Sequence, residues 1–233
     1  MSPPIIYTIA GSDSGGGAGI QADLKTIHSL SEGQCHGCSA ITCLTAQNSV
    51  GVASVHAPPT GFLREQLDAI GGDMRPNAVK IGMLGSKEIA EEVGSWLQEL
   101  LSSSEDEPLV VVDPVMISTS GHKLINDSAK EALINLFSYA TLVTPNKFEA
   151  EELLGRKLIT TRDVEEGARE ILEMGCKAVL IKGGHALDEK GEEMGYAQDY
   201  LLTNEQVSSV GKPVMDRGRI CDGERGVWLR SDR

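Results

Sequence analysis

The sequence has few basic residues, no long apolar run and no secretory signal, and each absence argues against a class of protein. Lysine and arginine together number 21 against 34 acidic residues, so the formal net charge is -13. Such a charge argues against nucleic acid or anionic lipid as a partner. The longest apolar runs have the length of strands, so we expect no membrane-spanning helix. The segment Met1-Ser2-Pro3-Pro4 lacks the layout of a secretory signal. We therefore expect a cytoplasmic protein, with a plastid location left open if a transit peptide has been removed.

Cysteine is scarce as well, with five residues in a chain of 233. An odd number in a chain of this length favours a reducing compartment over a disulfide framework. Cys35 and Cys38 have C-x-x-C spacing, but no second pair follows to complete a zinc site. Free thiols are therefore the expected state.

Neither of the two usual nucleotide-binding glycine motifs occurs. The glycine loop between Gly11 and Gly19 does not match G-x-G-x-x-G, because Ile20 stands at the sixth position of the frame that begins at Gly15. No Gly-Lys-Ser/Thr follows to make a Walker A loop. The loop comes after an apolar, β-branched run and before an amphipathic helix that begins near Gly19. This strand, loop and helix form half of a βαβ unit, and such a loop favours a small-molecule site.

Short apolar runs alternate with amphipathic helical patterns over most of the chain, which predicts one α/β domain with a mostly parallel sheet. From Gln198 onward the pattern changes to antiparallel strands joined through Asp222-Gly223. The sheet is thus expected to end in antiparallel strands where the chain stops. Strands are predicted at 5–9, 39–45, 78–83, 109–112, 140–144, 178–182, 198–203, 219–221 and 226–230.

Polar residues stand at the ends of three predicted strands, the edge where ligands bind in open α/β sheets. Asp113 follows 109–112, Asn146 and Glu149 share a face of the helix after 140–144, and Lys182 begins Lys-Gly-Gly-His. Acids that hold Mg²⁺ through water, a lysine and glycines that admit phosphate are the parts that phosphoryl transfer needs. Structural roles stay open, namely a solvated lysine and simple helix capping by Asn146 and Glu149.

Two further polar residues, Asp23 and Gln47, are candidates for contact with a substrate. Asp23 stands early in the first predicted helix, where the macrodipole favours a carboxylate that can accept from a ligand's amino group. A solvated first-turn aspartate is the alternative. Gln47 follows a predicted strand, and its amide can donate and accept at once.

Six segments, in this order along the chain, resemble the hydroxymethylpyrimidine and phosphomethylpyrimidine kinases of thiamine biosynthesis, in the ribokinase-like superfamily. The resemblance runs from about Pro4 to about His185 and weakly beyond, and it implies a three-layer α/β/α fold for a domain over residues 4–233. It also implies a homodimeric transferase that uses ATP and Mg²⁺ to phosphorylate 4-amino-5-hydroxymethyl-2-methylpyrimidine and then its monophosphate. The segments are AGSDSGGGAGIQAD, SAITCLTAQNS, VKIGML, VVVDPVM, VTPNKFEAEEL and VLIKGGH.

The resemblance assigns a role to each candidate. Asp23 and Gln47 would bind the amino group and ring nitrogen of the pyrimidine, in a pocket walled by Gly11, Met83 and Val115. The residues expected around the metal and the ATP phosphates are Asp113 and Glu149 for Mg²⁺, with Asn146, Lys182, Gly183 and Gly184 for phosphate.

One block of the family is missing from these 233 residues. The resemblance calls for a Gly-Thr-Gly-Cys stretch at a helix N-terminus, whose backbone N–H groups form the anion hole. Cys221 does not follow the required glycines, and the chain stops at Arg233, about where this block is expected to begin. No catalytic residue is therefore assigned. Losing one anion-hole donor costs about 10²–10³ in rate, so we expect a shortened form with very weak turnover.

Two alternatives stay open. A pyrimidine-binding protein impaired in catalysis would also lack the anion hole. A pyridoxal or pyridoxine kinase shares the fold, but the pair Asp23 and Gln47 and the block Gly82-Met83-Leu84 favour the pyrimidine.

Overall fold

The structure is a computed structural model, and it describes residues 2–103, 107–116, 126–183, 196–203 and 207–213. Strands and helices alternate through most of this part of the chain. The strands are β1 (Ile5–Asp13), β2 (His36–Gln47), β3 (Val52–His56), β4 (Ala78–Ile81), β5 (Leu109–Val112), β6 (Leu142–Val143), β7 (Ala178–Ile181), β8 (Tyr196–Thr203) and β9 (Val207–Pro213). The helices are α1 (Gly19–Leu30), α2 (Thr60–Gly71), α3 (Lys87–Ser102), α4 (Asp127–Asn135), α5 (Lys147–Leu154) and α6 (Thr161–Glu173), with a 3₁₀ turn at Leu136–Tyr139.

The described strands form one sheet in the order β3-β2-β1-β4-β5-β6-β7-β8-β9. Neighbours from β2 to β7 run parallel, whereas β3, β8 and β9 pair antiparallel. Helices connect the parallel strands, because a parallel pair needs a long crossover. The mostly parallel sheet with antiparallel strands toward the end of the chain is confirmed.

The sheet lies between helices on both faces. Successive side chains of β1 point to opposite faces. Tyr7 stacks on Trp96 of α3, with ring centroids 6.1 Å apart. The next residue, Thr8, donates a hydrogen bond from Oγ1 to Asp23 of α1. Because α3 and α1 thus contact opposite faces, the three-layer α/β/α arrangement is confirmed.

Burial follows the sequence pattern. The central strands β1, β4 and β5 are buried, with Ile9, Ile81 and Val112 wholly inaccessible to solvent. Helix α3 is amphipathic, and its buried apolar face includes Val93 and Leu97. No helix among the described residues combines the length and the apolar character needed to cross a membrane.

Several strand predictions need correction: β1 continues to Asp13 beyond the predicted 5–9, and β6 is shorter than the predicted 140–144. Strand β2 is longer than 39–45, and β3, which pairs with it, was not predicted. All five residues of β3 are exposed. Because neither face of this strand is buried, its sequence needs no alternation of apolar and polar residues, and that alternation is the signal by which strands are predicted. Strand β9, at 207–213, was not predicted either. The strands expected at 219–221 and 226–230 lie outside the described residues.

Candidate active site

The loop after β1 is shaped by a buried carboxylate. Asp13 accepts hydrogen bonds from the backbone N–H groups of Gly15 (2.7 Å), Gly17 (2.9 Å) and Ala18 (2.8 Å). Its own N–H donates to Oε1 of Gln21 at 2.8 Å. These bonds satisfy N–H groups that the loop cannot pair internally. The sequence interpretation missed Asp13, although an aspartate directly before a glycine run is a signal for such a turn.

Two glycines let this loop pack closely on the sheet. Gly19 has a φ of +56, and a Cβ there would lie 2.3 Å from the carbonyl oxygen of Gly11. A Cβ on Gly11 would lie 2.8 Å from Sγ of Cys43 and 3.9 Å from Sδ of Met83. The structure therefore brings Gly11 and Met83 together, as the pocket wall requires. Val115 is not among the nearest atoms to a Cβ on Gly11, so the place of Val115 in the wall stays a prediction.

Asp23 is held by two partners. It is the fifth residue of α1, whose first turn carries no acidic residue, so the macrodipole argument for it is wrong. Its Oδ2 atom accepts from Oγ1 of Thr8 at 2.6 Å and from Nζ of Lys80 at 2.8 Å. Lys80 also donates to Oδ1 at 3.0 Å. Asp23 is therefore a paired carboxylate, and the sequence interpretation missed Lys80.

Gln47 ends β2 beside the glycine loop. Its backbone N–H donates to Oγ of Ser14 at 2.8 Å, and that hydroxyl donates to the Gln47 carbonyl at 2.6 Å. Its side-chain Oε1 accepts from Oγ1 of Thr45 at 3.1 Å. Among the described residues, the side-chain amide nitrogen donates to none. The amide can therefore present a donor to a ligand from the strand end.

A second group of polar residues lies at the carboxyl ends of β5, β6 and β7. Nζ of Lys182 donates to Oδ1 of Asp113 at 2.8 Å. Asn146 and Glu149 form a capping box on α5: the Glu149 N–H donates to Oδ1 of Asn146, and the Asn146 N–H donates to Oε2 of Glu149. Asn146 and Lys182 also form an isolated parallel β-bridge. The expected meeting of these four residues is found, and the capping alternative is present too.

Glu149 carries the most informative electrostatics of this group. It is 3% exposed, and burial raises its pKa from 4.5 to about 7. The hydrogen bond from the Asn146 N–H lowers the pKa, the charge of nearby Asp113 raises it, and Lys182 lowers it. A bound cation would favour the ionised form of Glu149.

The carboxylates of Asp113 and Glu149 fit a magnesium ion. Within the described residues, no group of three or more His, Cys, Asp or Glu side chains could hold a metal by itself. Mg²⁺ needs no such cage, since it is usually bound by one or two carboxylates, water and substrate phosphates. Two neighbouring carboxylates at a ligand-binding edge match that description.

Gly183 has a structural reason to be glycine. A Cβ there would lie 1.8 Å from the carbonyl oxygen of Gln198 on β8. Its N–H donates to Oδ1 of Asp199 at 2.9 Å, so in this structure the bond is made within the protein. A phosphate-binding role for Gly183 stays a prediction, and Gly184 lies outside the described residues.

The anion hole is the part of the predicted site that these contacts do not include. The segment from Asp216 to Arg233, after which the sequence analysis expected the anion-hole block, lies outside the described residues. The expectation that the anion-hole block begins at about Arg233 therefore stays a prediction. No described residue is assigned as catalytic.

The family model described as phosphomethylpyrimidine kinase matches residues 13–221. The chain belongs to the phosphomethylpyrimidine kinase family. A hydroxymethylpyrimidine/phosphomethylpyrimidine kinase from Synechococcus elongatus is 42% identical over 213 residues, which make up 90% of this chain and 78% of the relative. The chain spans only 63% of the relative of the same name from Bacillus subtilis.

Solved structures agree with this family. A phosphomethylpyrimidine kinase from Clostridium difficile has a TM-score of 0.76 and 42% identity, covering 88% of this chain and 83% of that one. A pyridoxal kinase from Bacillus subtilis, solved as an ADP complex, has a TM-score of 0.77 and 33% identity, covering 92% and 76%. The ribokinase-like fold is thus shared by pyrimidine and pyridoxal kinases.

Proposed function

We propose that this chain is a kinase domain that phosphorylates hydroxymethylpyrimidine and its monophosphate with ATP, in thiamine biosynthesis. Its family supplies the reaction class. The supporting observation is that Asp113, Glu149 and Lys182 lie close together at the carboxyl ends of their strands. Gly11 and Gln47 lie toward the carboxyl ends of two other strands of the same sheet, β1 and β2. Phosphoryl transfer depends mainly on positioning and charge stabilisation, which such a group provides.

The pyrimidine would bind between the glycine loop and the ends of β2 and β4. An aminopyrimidine presents a donor and acceptors side by side, and a carboxylate and an amide match both. We assign Asp23 to the amino group and Gln47 to a ring nitrogen. Gly11 and Met83, which lie close together, would form one wall, and Val115 is proposed for the other.

The phosphates would bind at the ends of β5 to β7. Asp113 and Glu149 would hold Mg²⁺, which neutralises charge on the phosphates when it is bound. Lys182 would move its ammonium group from Asp113 toward the ATP phosphates, and Asn146, Gly183 and Gly184 would border them. Buried Glu149 ionises more readily as positive charge arrives beside it.

We name no catalytic base. The Gly-Thr-Gly-Cys segment that the resemblance implies does not occur in the 233 residues that end at Arg233. We propose that the domain over 4–233 binds both substrates, and we assign no catalytic residue within it. A pyrimidine-binding protein impaired in catalysis is the alternative.

A calorimetric titration and a turnover assay with MgATP test the proposal, with pyridoxal as the control compound. We expect the aminopyrimidine alcohol to bind and pyridoxal to bind much more weakly. The likeness to pyridoxal kinases makes that comparison necessary. Preferential binding of pyridoxal would replace the proposal by the alternative kinase, and binding of the pyrimidine without turnover would favour the alternative of a pyrimidine-binding protein impaired in catalysis.

The resemblance also leads us to propose a homodimer in the cytoplasm. Strand β3 is an exposed sheet edge, with Val52 and Val55 on its surface, and such an edge is available for pairing. The four described cysteines are free, which suits a reducing compartment. Sedimentation velocity tests the dimer, and a monomer at all micromolar concentrations would contradict it. A plastid location stays open.

A further inference from the structure

A polar cluster of Thr8, Asp23 and Lys80 lies between α1 and the sheet. Thr8 and Lys80 are paired neighbours on β1 and β4, so their side chains share the face that α1 covers. The Asp23 carboxylate receives three donor contacts of 2.6 to 3.0 Å from these two residues. Thr8 is wholly buried, whereas the side chains of Asp23 and Lys80 are 20% and 27% exposed. Thr8 is therefore inaccessible from outside the cluster, whereas Asp23 and Lys80 are partly accessible.

The hydrogen bonds leave one acceptor position on Asp23. Each carboxylate oxygen can accept about two hydrogen bonds. Oδ2 is filled by Thr8 and Lys80, whereas Oδ1 accepts only from Lys80 among the described residues. The carboxylate therefore keeps one free acceptor position, on Oδ1, in an orientation fixed by three contacts.

The cluster lies close to the part of β1 that leads into the predicted pocket wall. A Cβ on Gly82 would lie 2.8 Å from Nζ of Lys80 and 3.1 Å from Cβ of Ala10. The ammonium group thus reaches the carboxyl end of β4, beside Ala10. The next residue after Ala10 is Gly11, which we place in the pocket wall.

We propose that Lys80 is a positioning residue, which orients the Asp23 carboxylate so that Oδ1 accepts from the exocyclic amino group of the aminopyrimidine. This inference rests on the proposed function. The aspartate χ2 torsion is broad, so a carboxylate without the ammonium group turns easily. Lys80 holds both oxygens and compensates their charge, whereas Thr8 holds only one. Lys80 thereby contributes to selection of amino-substituted pyrimidines without contacting the substrate.

The test compares two ligands and two lysine variants. The ligands are the aminopyrimidine alcohol and the same compound with hydrogen in place of the amino group. Lys80→Met keeps most of the stem and removes the charge. Lys87→Met is the matched control, because Lys87 is half-exposed on α3 and its ion pair is with Glu91 of the same helix. Calorimetry gives the dissociation constant for each pair.

We expect Lys80→Met to weaken binding of the amino compound by roughly tenfold or more, since hydrogen bonds to a charged group have that strength. Binding of the compound without the amino group should change by less than about twofold. Lys87→Met should bind both ligands as the unchanged protein does. Lys80→Arg should restore part of the selectivity, because it returns the charge with a different geometry.

Each other outcome has a defined meaning. Equal weakening for both ligands with a lower Tm would show a merely structural role and overturn the inference. Unchanged or tighter binding of the amino compound would do the same. If Lys80→Met does not fold, Lys80→Arg decides, since it keeps the charge but changes the geometry of the contact with Asp23 and should therefore reduce selectivity for the amino compound; unchanged selectivity would overturn the inference.

The proposed function can fail separately from this inference. If the unchanged protein binds neither pyrimidine, the proposed function fails and the role of Lys80 falls with it. If the unchanged protein selects the amino compound and Lys80→Met selects it equally well, only the role of Lys80 is overturned.

Discussion

The carboxylate of Asp13 determines the shape of the glycine loop, so Asp13→Asn should destabilise the protein measurably. Asparagine keeps one side-chain oxygen, which can still accept from Gly17 and Ala18. Its NH₂ group then faces the N–H of Gly15, which loses its acceptor. The substitution thus removes one charge-assisted hydrogen bond and weakens two others.

The magnitude follows from these bonds. A hydrogen bond to a charged group contributes about 1.5–3 kcal/mol, against about 0.5–1.5 kcal/mol for a neutral one. One bond lost and two weakened should lower the free energy of unfolding by about 2–4 kcal/mol. For a chain of this size, that corresponds to a fall in Tm of about 5–15 °C. Because the loop borders Gly11, affinity for the aminopyrimidine should fall as well.

Urea unfolding followed by circular dichroism measures the change. Asp127→Asn is the matched control, since Asp127 is exposed in the first turn of α4 and should lose less than about 1 kcal/mol. An Asp13→Asn protein within about 0.5 kcal/mol of the unchanged chain would refute the argument. It would mean that the loop keeps its shape without the carboxylate.

Three further predictions concern the carboxyl ends of β5 to β7, where we propose that the phosphates bind. The pKa of Glu149 is raised from 4.5 to about 7, so the folded state binds its proton more tightly, and stability should fall as pH rises between these values. Glu149→Gln keeps the capping geometry and should remove about 3 kcal/mol of that pH dependence in urea unfolding; parallel profiles would contradict this. Gly183→Ala should lower the free energy of unfolding by about 2–4 kcal/mol, because its Cβ would meet the Gln198 carbonyl, and an unchanged urea midpoint would show that β8 yields freely. Lys182→Met, which breaks the pair with Asp113, should weaken binding of a non-hydrolysable ATP analogue by roughly tenfold and leave pyrimidine affinity unchanged; equal loss for both ligands would argue against a phosphate role.

Local patterns were reliable where a single element carried the signal. Helix α1 begins at Gly19, as its sequence pattern predicted, and Thr160 and Asp163 form a capping box that follows the usual local sequence pattern. The Asn146 and Glu149 pair could be located in the same way, because both groups belong to one helix start. Strand β3 escaped detection because an exposed edge strand needs no apolar alternation.

The partners of the candidate residues were harder to foresee. Asp23 was assigned to the helix dipole, but its charge is compensated by Lys80, 57 positions further along the chain. Gly183 was assigned to phosphate, but its immediate constraint is the approach of β8. In both cases the deciding atoms belong to another element.

The sequence by itself determined the alternation of helices with most of the strands, though not β3 and β9, as well as the position of the glycine loop and the strand ends at which polar residues gather. These depend on periodicity, glycine content and capping, which act over a few residues. Only the tertiary structure decided that Lys182 meets Asp113 across 69 positions, that Lys80 holds Asp23 and that burial raises the pKa of Glu149. The physical reason is that strand order and register set which distant side chains share an edge, and burial sets the charge they carry there.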